Sequence, residues 1–355
     1  MSTTTPVVVQ IFGTVCLDKV RIIDEFPKVL GTFTTVSKEI NTLGGEATNS
    51  FVILSDWIKE LVNGKQQQQQ LSLENVILIS SPLVNDITGQ LIKKRLESYP
   101  NKYLTIVEPS DDCILKITNT TDLYICNLKE RTMFGIGFIE MDQYLYDNRD
   151  QFLKNIKFGP EYWISLDFNT PLISKVIMDK AIETKTNLYV MDQELFLNDS
   201  HHNQENIQEM NIVYQTSTDF FGNKGDRESI LQSVRQWLDN GNQKHCFIIV
   251  TDSKNGYAIG GQLYNKEKKQ KEFIQVQWRE SITLDPSLVQ DTTGAGDSFR
   301  AGFLYSFILN QSSLNDSLLF ASISGAFNCR YLTGCDKHPT LQEINEKLNQ
   351  LANNK

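Results

Sequence analysis

"YWISLDFNTPLISKVIMDKAIETKTNLYVMDQ", Tyr162 to Gln193, decides the fold. "YWISLDF" and "NLYVMDQ" are short apolar runs of strand length, and "ISKVIMDKAIETK" between them has the apolar spacing of a helix. The pattern then repeats: "NIVYQTS" is a strand, "RESILQSVRQWLDNG" a helix, "CFIIVTDS" a strand. Two strands joined by a helix run parallel, and serial repetition of that unit predicts a mainly parallel sheet covered by helices on both faces.

Upstream the order differs. "PVVVQIFGTVCLD" opens with a buried strand, then "VRIIDEFPK" and "GTFTTVSKEINTL" alternate like antiparallel strands with no helix between them. "ATNSFVILSDWIKELV" places Phe51, Leu54, Ile58 and Leu61 on one helical face. After "NVILISSPL" and the helix "DITGQLIKKRLESY", the stretch "CILKITNTTDLYICNLKE" reads as a second pair of strands. Downstream, a short apolar strand precedes "DTTGAGD", and three helices close the chain. We therefore expect a doubly wound α/β core of residues 1–14, 44–107 and 134–355. A small β-sheet lid comes from 15–43 and 108–133, and a polyglutamine loop insertion occupies 64–72.

The chain has 355 residues and a formal net charge of −9, which argues against nucleic acid or an anionic membrane as the main partner. No apolar run reaches the roughly 18–20 residues that cross a bilayer. "MSTTTPVVVQIFGTV" has no basic segment before an apolar core, so a cytoplasmic protein is expected. Six scattered cysteines without a CxxC pair read as reduced core thiols, and His201, His202, His245 and His338 form no metal-ligand pattern.

"DTTGAGDSFRAGF", Asp291 to Phe303, carries the chemistry. A helix that starts here leaves its first amides without intrahelical partners. The small Gly294, Ala295 and Gly296 let a ligand approach them, and the helix dipole favours negative charge. Asp297 is out of place beside an anion unless it takes a proton from an attacking hydroxyl. Read alone, GAGD is equally a tight turn with a first-turn acid. It is neither a Walker A loop nor a GxGxxG fingerprint.

The longer stretch resembles the signature of the ribokinase/PfkB-like carbohydrate kinases. "GGEATNS", Gly44 to Ser50, is similar to the family's Gly-Gly…Asn motif, and Asp18 in "CLDKV" is a weaker match. The resemblance covers nearly the whole chain. It implies a ribokinase-like fold and an ATP-dependent kinase acting on a hydroxyl of a small sugar. Asp297 would be the general base and the Gly294–Ala295–Gly296 amides the anion hole. Asp18 and Asn49 would hold substrate hydroxyls, with Gly44 and Gly45 as the hinge of the lid. Mg²⁺ is implied with ATP, and K⁺ near Asp291 and Thr293.

The chain departs from the family in places. An Asn-x-x-Glu stretch is absent around "NIVYQTSTDFFG", where only Asp219 offers a carboxylate. In "VTDSKNGYAIG", Thr251 and Gly256 match the family's nucleotide-side loop, but Ser253 stands where glycine is usual. "LDKVRIIDEFP" looks like ketohexokinase-type enzymes, whereas "GGEATNS" and "LTGC" also look like adenosine kinases. Glu46 either enters the pocket or is a first-turn acid. A sugar kinase, a nucleoside kinase and a catalytically idle sensor are thus all open, and exposed lid strands suggest a homodimer.

Overall fold

The computed structural model describes residues 7–29, 32–64, 71–126, 131–167, 169–191, 204–220, 225–239 and 245–353. The whole glutamine run (66–70), which is the centre of the expected 64–72 insertion, His201 and His202 lie outside these residues. In chain order the first half comprises β1 (Val8–Gly13), β2 (Cys16–Ile23), β3 (Val36–Gly44), α1 (Glu46–Asn63), β4 (Val76–Ser80), β5 (Leu83–Val84), α2 (Ile87–Leu96), β6 (Lys102–Tyr103), β7 (Ile106–Val107), β8 (Thr120–Cys126), β9 (Arg131–Ile136), α3 (Phe138–Asp147) and α4 (Arg149–Leu153). The second half comprises β10 (Tyr162–Leu166), α5 (Pro171–Glu183), β11 (Asn187–Met191), α6 (Gln204–Gln208), β12 (Ile212–Ser217), α7 (Arg227–Asp239), β13 (Phe247–Thr251), β14 (Tyr257–Asn265), β15 (Gln270–Arg279), α8 (Ala295–Phe303), α9 (Leu314–Asn328) and α10 (Leu341–Asn353).

Nine strands form one sheet in the order β15-β14-β13-β12-β11-β10-β1-β4-β6. From β6 to β13 every pair is parallel; β14 and β15 add an antiparallel edge. Successive strand residues serve opposite faces, as the two-residue pleat requires. Val76 and Leu78 pack into one core with Phe51, Trp57 and Phe303; Ile77 and Ile79 pack into the other with Met141, Ile173 and Ile177. Helices therefore cover both faces, giving the doubly wound α/β architecture that the βαβ reading predicts.

A separate four-stranded sheet has the order β3-β2-β8-β9. Its own core is small: Val20, Leu123 and Ile125, with Ile22, Ile40 and Leu332 against them. Three readings change. Residues 113–119 form no strand; the antiparallel partner of β8 is β9, which runs on to Ile136, and its parallel partner is β2. The stretch before Asp291 is a single 3₁₀ turn, Pro286–Leu288, because Asp285 caps it through the Ser287 amide at 2.9 Å. The β14–β15 hairpin has no counterpart in the predicted order. Its outer strand alternates polar and apolar residues half-exposed at the sheet edge, so it lacks the apolar run that marks the central strands.

Candidate active site

The strand order reverses between β1 and β10, and open α/β sheets take ligands beyond the carboxyl ends of strands at such a reversal. The chain-order neighbours there are Thr14, just after β1, and Asp167, just after β10. Asp167 is fully buried and accepts from the Thr14 amide at 2.7 Å and its hydroxyl at 3.2 Å. From this junction β2 carries Asp18 across the site. Asp18 is buried beside the Cys16 thiol (3.4 Å) and close against Gly44, where a Cβ would stand 2.1 Å from its carboxyl carbon. Burial, with the nearby Asp297 and Asp291 charges, pushes the Asp18 carboxyl up to about 6 despite the Cys16 and Thr121 hydrogen bonds.

Gly44 and Gly45 join β3 to α1. Gly45 has φ 92°, and a Cβ there would meet the Thr14 carbonyl oxygen at 2.3 Å, so this joint tolerates no side chain. The joint aims the first turn of α1 at the first turn of α8. Asn49 Nδ2 donates to Asp297 Oδ2 at 2.7 Å, and the Ser50 hydroxyl donates to the Asp297 carbonyl at 3.1 Å. Asp297 Oδ1 and Asn49 Oδ1 are both buried without a protein hydrogen-bond donor, a costly state that a bound hydroxyl would relieve. Burial raises the Asp297 carboxyl above the usual aspartate range, while Arg300, Asn49 and Arg131 act to lower it.

The loop before α8 is tied from inside. Asp291 Oδ1 accepts from the Thr293 amide (2.9 Å) and hydroxyl (2.8 Å), and its Oδ2 accepts from the Thr333 amide (3.2 Å). Gly294 caps α8 with φ 74°, with its Cα face against the backbone of Gly334. The Ala295 amide donates to the Thr292 carbonyl at 3.3 Å and so faces the loop. At Gly296 the surroundings are open: a Cβ would find only Gln215 Nε2, at 3.7 Å. Room for a ligand therefore exists at Gly296 rather than at Gly294.

The residues matched to the family's nucleotide-side loop lie at the end of β13 and just before the start of β14. The Thr251 hydroxyl donates to the Thr216 carbonyl at 3.2 Å. Gly256 is needed for packing, since a Cβ would lie 2.3 Å from the Arg279 carbonyl oxygen and 2.8 Å from the Trp278 indole. Ser253 adopts φ 51°, the left-handed conformation for which glycine is usual. Beneath it the buried Asp252 ties together Thr218 (2.7 Å), Gly225 (3.0 Å) and Asn255 (2.8 Å). Asp219 is exposed on a 3₁₀ turn after β12.

Among the described residues no group of three or more His, Cys, Asp or Glu side chains is placed to hold a metal ion. Both Asp291 oxygens accept from backbone or hydroxyl donors of the surrounding loops.

Three charged residues at the site escaped the sequence reading. Arg131, at the start of β9, donates to the Thr293 hydroxyl at 2.9 Å and so links the small sheet to the glycine-rich loop. Arg300 is fully buried, 3.5 Å from Asp297 Oδ1. Asp167 lies at the strand reversal. Only Arg300 had a signal: three residues after Asp297 on a helix, it falls on the same face.

Residues 274–341 match the family model for pfkB family carbohydrate kinases. Over 360 residues, 96% of this chain and 97% of the other, the chain is 43% identical to an uncharacterized sugar kinase of Dictyostelium discoideum. The chain belongs to the pfkB family of carbohydrate kinases. As a member it is a phosphotransferase with an alcohol group as acceptor. Two solved structures share the fold at low identity. Arabidopsis thaliana ribokinase complexed with ribose and ATP has a TM-score of 0.63 at 14% identity, over 97% of this chain and 99% of that one. Burkholderia thailandensis nucleoside kinase in complex with inosine has a TM-score of 0.60 at 15% identity, over 97% of each.

Proposed function

We propose that this pfkB-family enzyme transfers the γ-phosphate of ATP to a hydroxyl of a small sugar, with Asp297 as general base. The observation that carries this reading is the buried Asp297 carboxylate at the N-terminus of α8. One of its oxygens is held by Asn49 and the other is left without a donor, next to Asp18. A sugar hydroxyl donates to Asp297 Oδ1 while Asp18 and Asn49 Oδ1 accept from neighbouring hydroxyls. As the sugar oxygen bonds to the γ-phosphorus, its proton passes to Asp297. The bond from phosphorus to the β,γ-bridging oxygen breaks, and ADP leaves. The space at Gly296 and the α8 dipole receive the phosphoryl oxygens, and Arg131 supplies positive charge from the small sheet. Magnesium bound to the triphosphate would neutralise its charge. ATP as donor is supported by the likeness to ribokinases solved with ATP or ADP.

A sugar is favoured over a nucleoside because the groups against Asp18 are the small polar side chains of Cys16 and Thr121. They suit hydroxyls and offer no ring on which a base would stack. ADP release with Mg²⁺-ATP, measured against pentoses, hexoses, ketoses and nucleosides with and without K⁺, tests the assignment. Turnover with one sugar that Asp297→Asn abolishes is the expected outcome. Turnover with nucleosides alone would replace the substrate class, and no turnover by folded protein would favour an idle sensor.

The division into core and lid belongs to the same proposal. The β2-β3-β8-β9 sheet closes over the site about Gly44–Gly45, and the Arg131–Thr293 bond is its contact in the closed position. Met133, Phe134 and Ile136 on β9 are exposed, which supports a homodimer through this sheet. A monomer mass in sedimentation well above assay concentration would rule that out. The six cysteines are free thiols, which suits the cytoplasm, and cell fractionation checks it.

A further inference from the structure

Arg300 is the one arginine with no solvent exposure among the large buried side chains of this protein. Its three nitrogens are placed differently. Nε donates to the Ser50 hydroxyl at 2.8 Å, and Nη2 donates to the Glu46 carbonyl. Nη1 is buried without a protein partner. Ser50 in turn donates to the Asp297 carbonyl at 3.1 Å. The guanidinium is thus pinned to the first turn of α1 from within α8, and the same hydroxyl holds the Asp297 backbone. Nη2 stands 3.5 Å from Asp297 Oδ1, close enough for charge to act and too far to take up the oxygen with a hydrogen bond.

The arrangement answers a physical problem. Asp297, Asp18 and Asp167 are buried, and Asp291 is buried beside them. Burial favours the neutral form of the Asp297, Asp18 and Asp167 carboxyls, and the Asp297 charge adds repulsion at the other two; a protonated Asp297 cannot accept a proton. Facing Asp297 are Asn49 and Ser50 from α1, Asp18 from β2, Asp167 after β10, Cys335 after α9, Arg131 from β9 and Arg300 from α8 itself. Of the two cations, Arg131 is carried by the exposed start of β9 and depends on where the small sheet lies. Arg300 is part of the core and cannot lose its proton.

We propose that Arg300 is a positioning residue whose pinned, always-charged guanidinium keeps the Asp297 carboxylate ionised and its Oδ1 free for the substrate hydroxyl, whether or not the small sheet is closed. This rests on the kinase reading above. The alternative is that Arg300 only staples α1 to α8.

The test is the pH dependence of kcat for wild type, Arg300→Met and Arg300→Lys with the sugar that wild type phosphorylates. In Arg300→Met the acid limb is expected to move to higher pH by about one unit, since one unit is about 1.4 kcal/mol of lost charge stabilisation. Arg300→Lys, which keeps a charge, is expected to move it less. A fall in kcat with the limb unmoved in both variants would make Arg300 a structural staple and overturn the proposal. A stability cycle at pH 7.5 reads the same coupling without turnover. Asp297→Asn is expected to raise Tm more in the Arg300→Met background than in wild type, and equal increments would overturn the proposal. If Arg300→Met is insoluble, the double variant is expected to be soluble; insolubility of both would count against the proposal. Should wild type phosphorylate nothing, the kinase reading falls while the stability cycle still decides the Arg300–Asp297 coupling.

Discussion

Replacing Asp18 with asparagine should make this protein more stable and a worse enzyme. Asp18 is 6% exposed, and its carboxyl is raised from the ordinary 3.8 to about 6 by burial and by the charges of Asp297 and Asp291. A carboxyl whose folded pKa lies above its unfolded one destabilises the fold once ionised. The cost is absent below about pH 4, grows as the pH rises towards 6, and is complete above that. The difference of about two pH units, at about 1.4 kcal/mol each, makes the cost about 3 kcal/mol at pH 7.5. With about 2.1 cal/mol/K of unfolding entropy per residue over 355 residues, that corresponds to about 4 °C in Tm. Thermal unfolding of wild type and Asp18→Asn at half-unit steps from pH 4 to 8 measures it. The expected curves coincide near pH 4 and separate by about 4 °C by pH 7.5, with the variant the more stable. The same variant should raise KM for the sugar by ten- to a hundred-fold, because it loses a charge-assisted hydrogen bond to a hydroxyl. A variant less stable than wild type at pH 7.5, or a separation that does not depend on pH, would refute the account of Asp18 as a strained, substrate-facing carboxylate.

Asp297→Asn should lower kcat by about 10²–10⁴-fold while leaving ATP affinity nearly unchanged, as isothermal titration and ADP release together would show. Gly294→Ala and Gly296→Ala should part company. The first forces a side chain into φ 74° against Gly334 and should cost at least about 1–2 kcal/mol in urea unfolding. The second meets nothing closer than Gln215 at 3.7 Å, so it should fold normally yet weaken ATP turnover by intruding where phosphoryl oxygens are placed. Arg131→Ala should raise KM for ATP by about ten-fold at low salt and by less at high salt, where an exposed charge is screened, with Tm within about 1 °C of wild type, as expected of an exposed residue away from the core.

The βαβ run from Tyr162, the helix at Glu46 and the glycine-rich start of α8 were legible in the sequence because each has a local cause. Apolar period distinguishes strand from helix, and clustered small residues at a helix start mark an exposed set of amides. Asp297 could be named for the same reason, whereas Asp18, Gly44 and Asn49 were named through the family resemblance. Their convergence could not be read: Asn49 and Asp297 are 248 residues apart and meet at 2.7 Å only because the Gly44–Gly45 joint and Gly294 aim two helix starts at each other. The surroundings of Gly256 and Thr251 were not legible for a related reason, since what crowds them, Trp278, Arg279 and Thr216, belongs to other strands.

The charged residues divide in the same way. A sequence assigns an arginine or aspartate to the surface by default, because a buried charge is costly unless something distant compensates it. Asp167 and Arg131 carry no local mark of their positions, Arg300 carries only its helical spacing from Asp297, and the β14–β15 hairpin lacks the apolar period of the inner strands. Local chemistry by itself therefore determined the class of fold, the order of its central elements and the residue proposed as base. The tertiary structure alone decided which charges meet around that base, because pairing across the sheet reversal sets distances that no local pattern encodes.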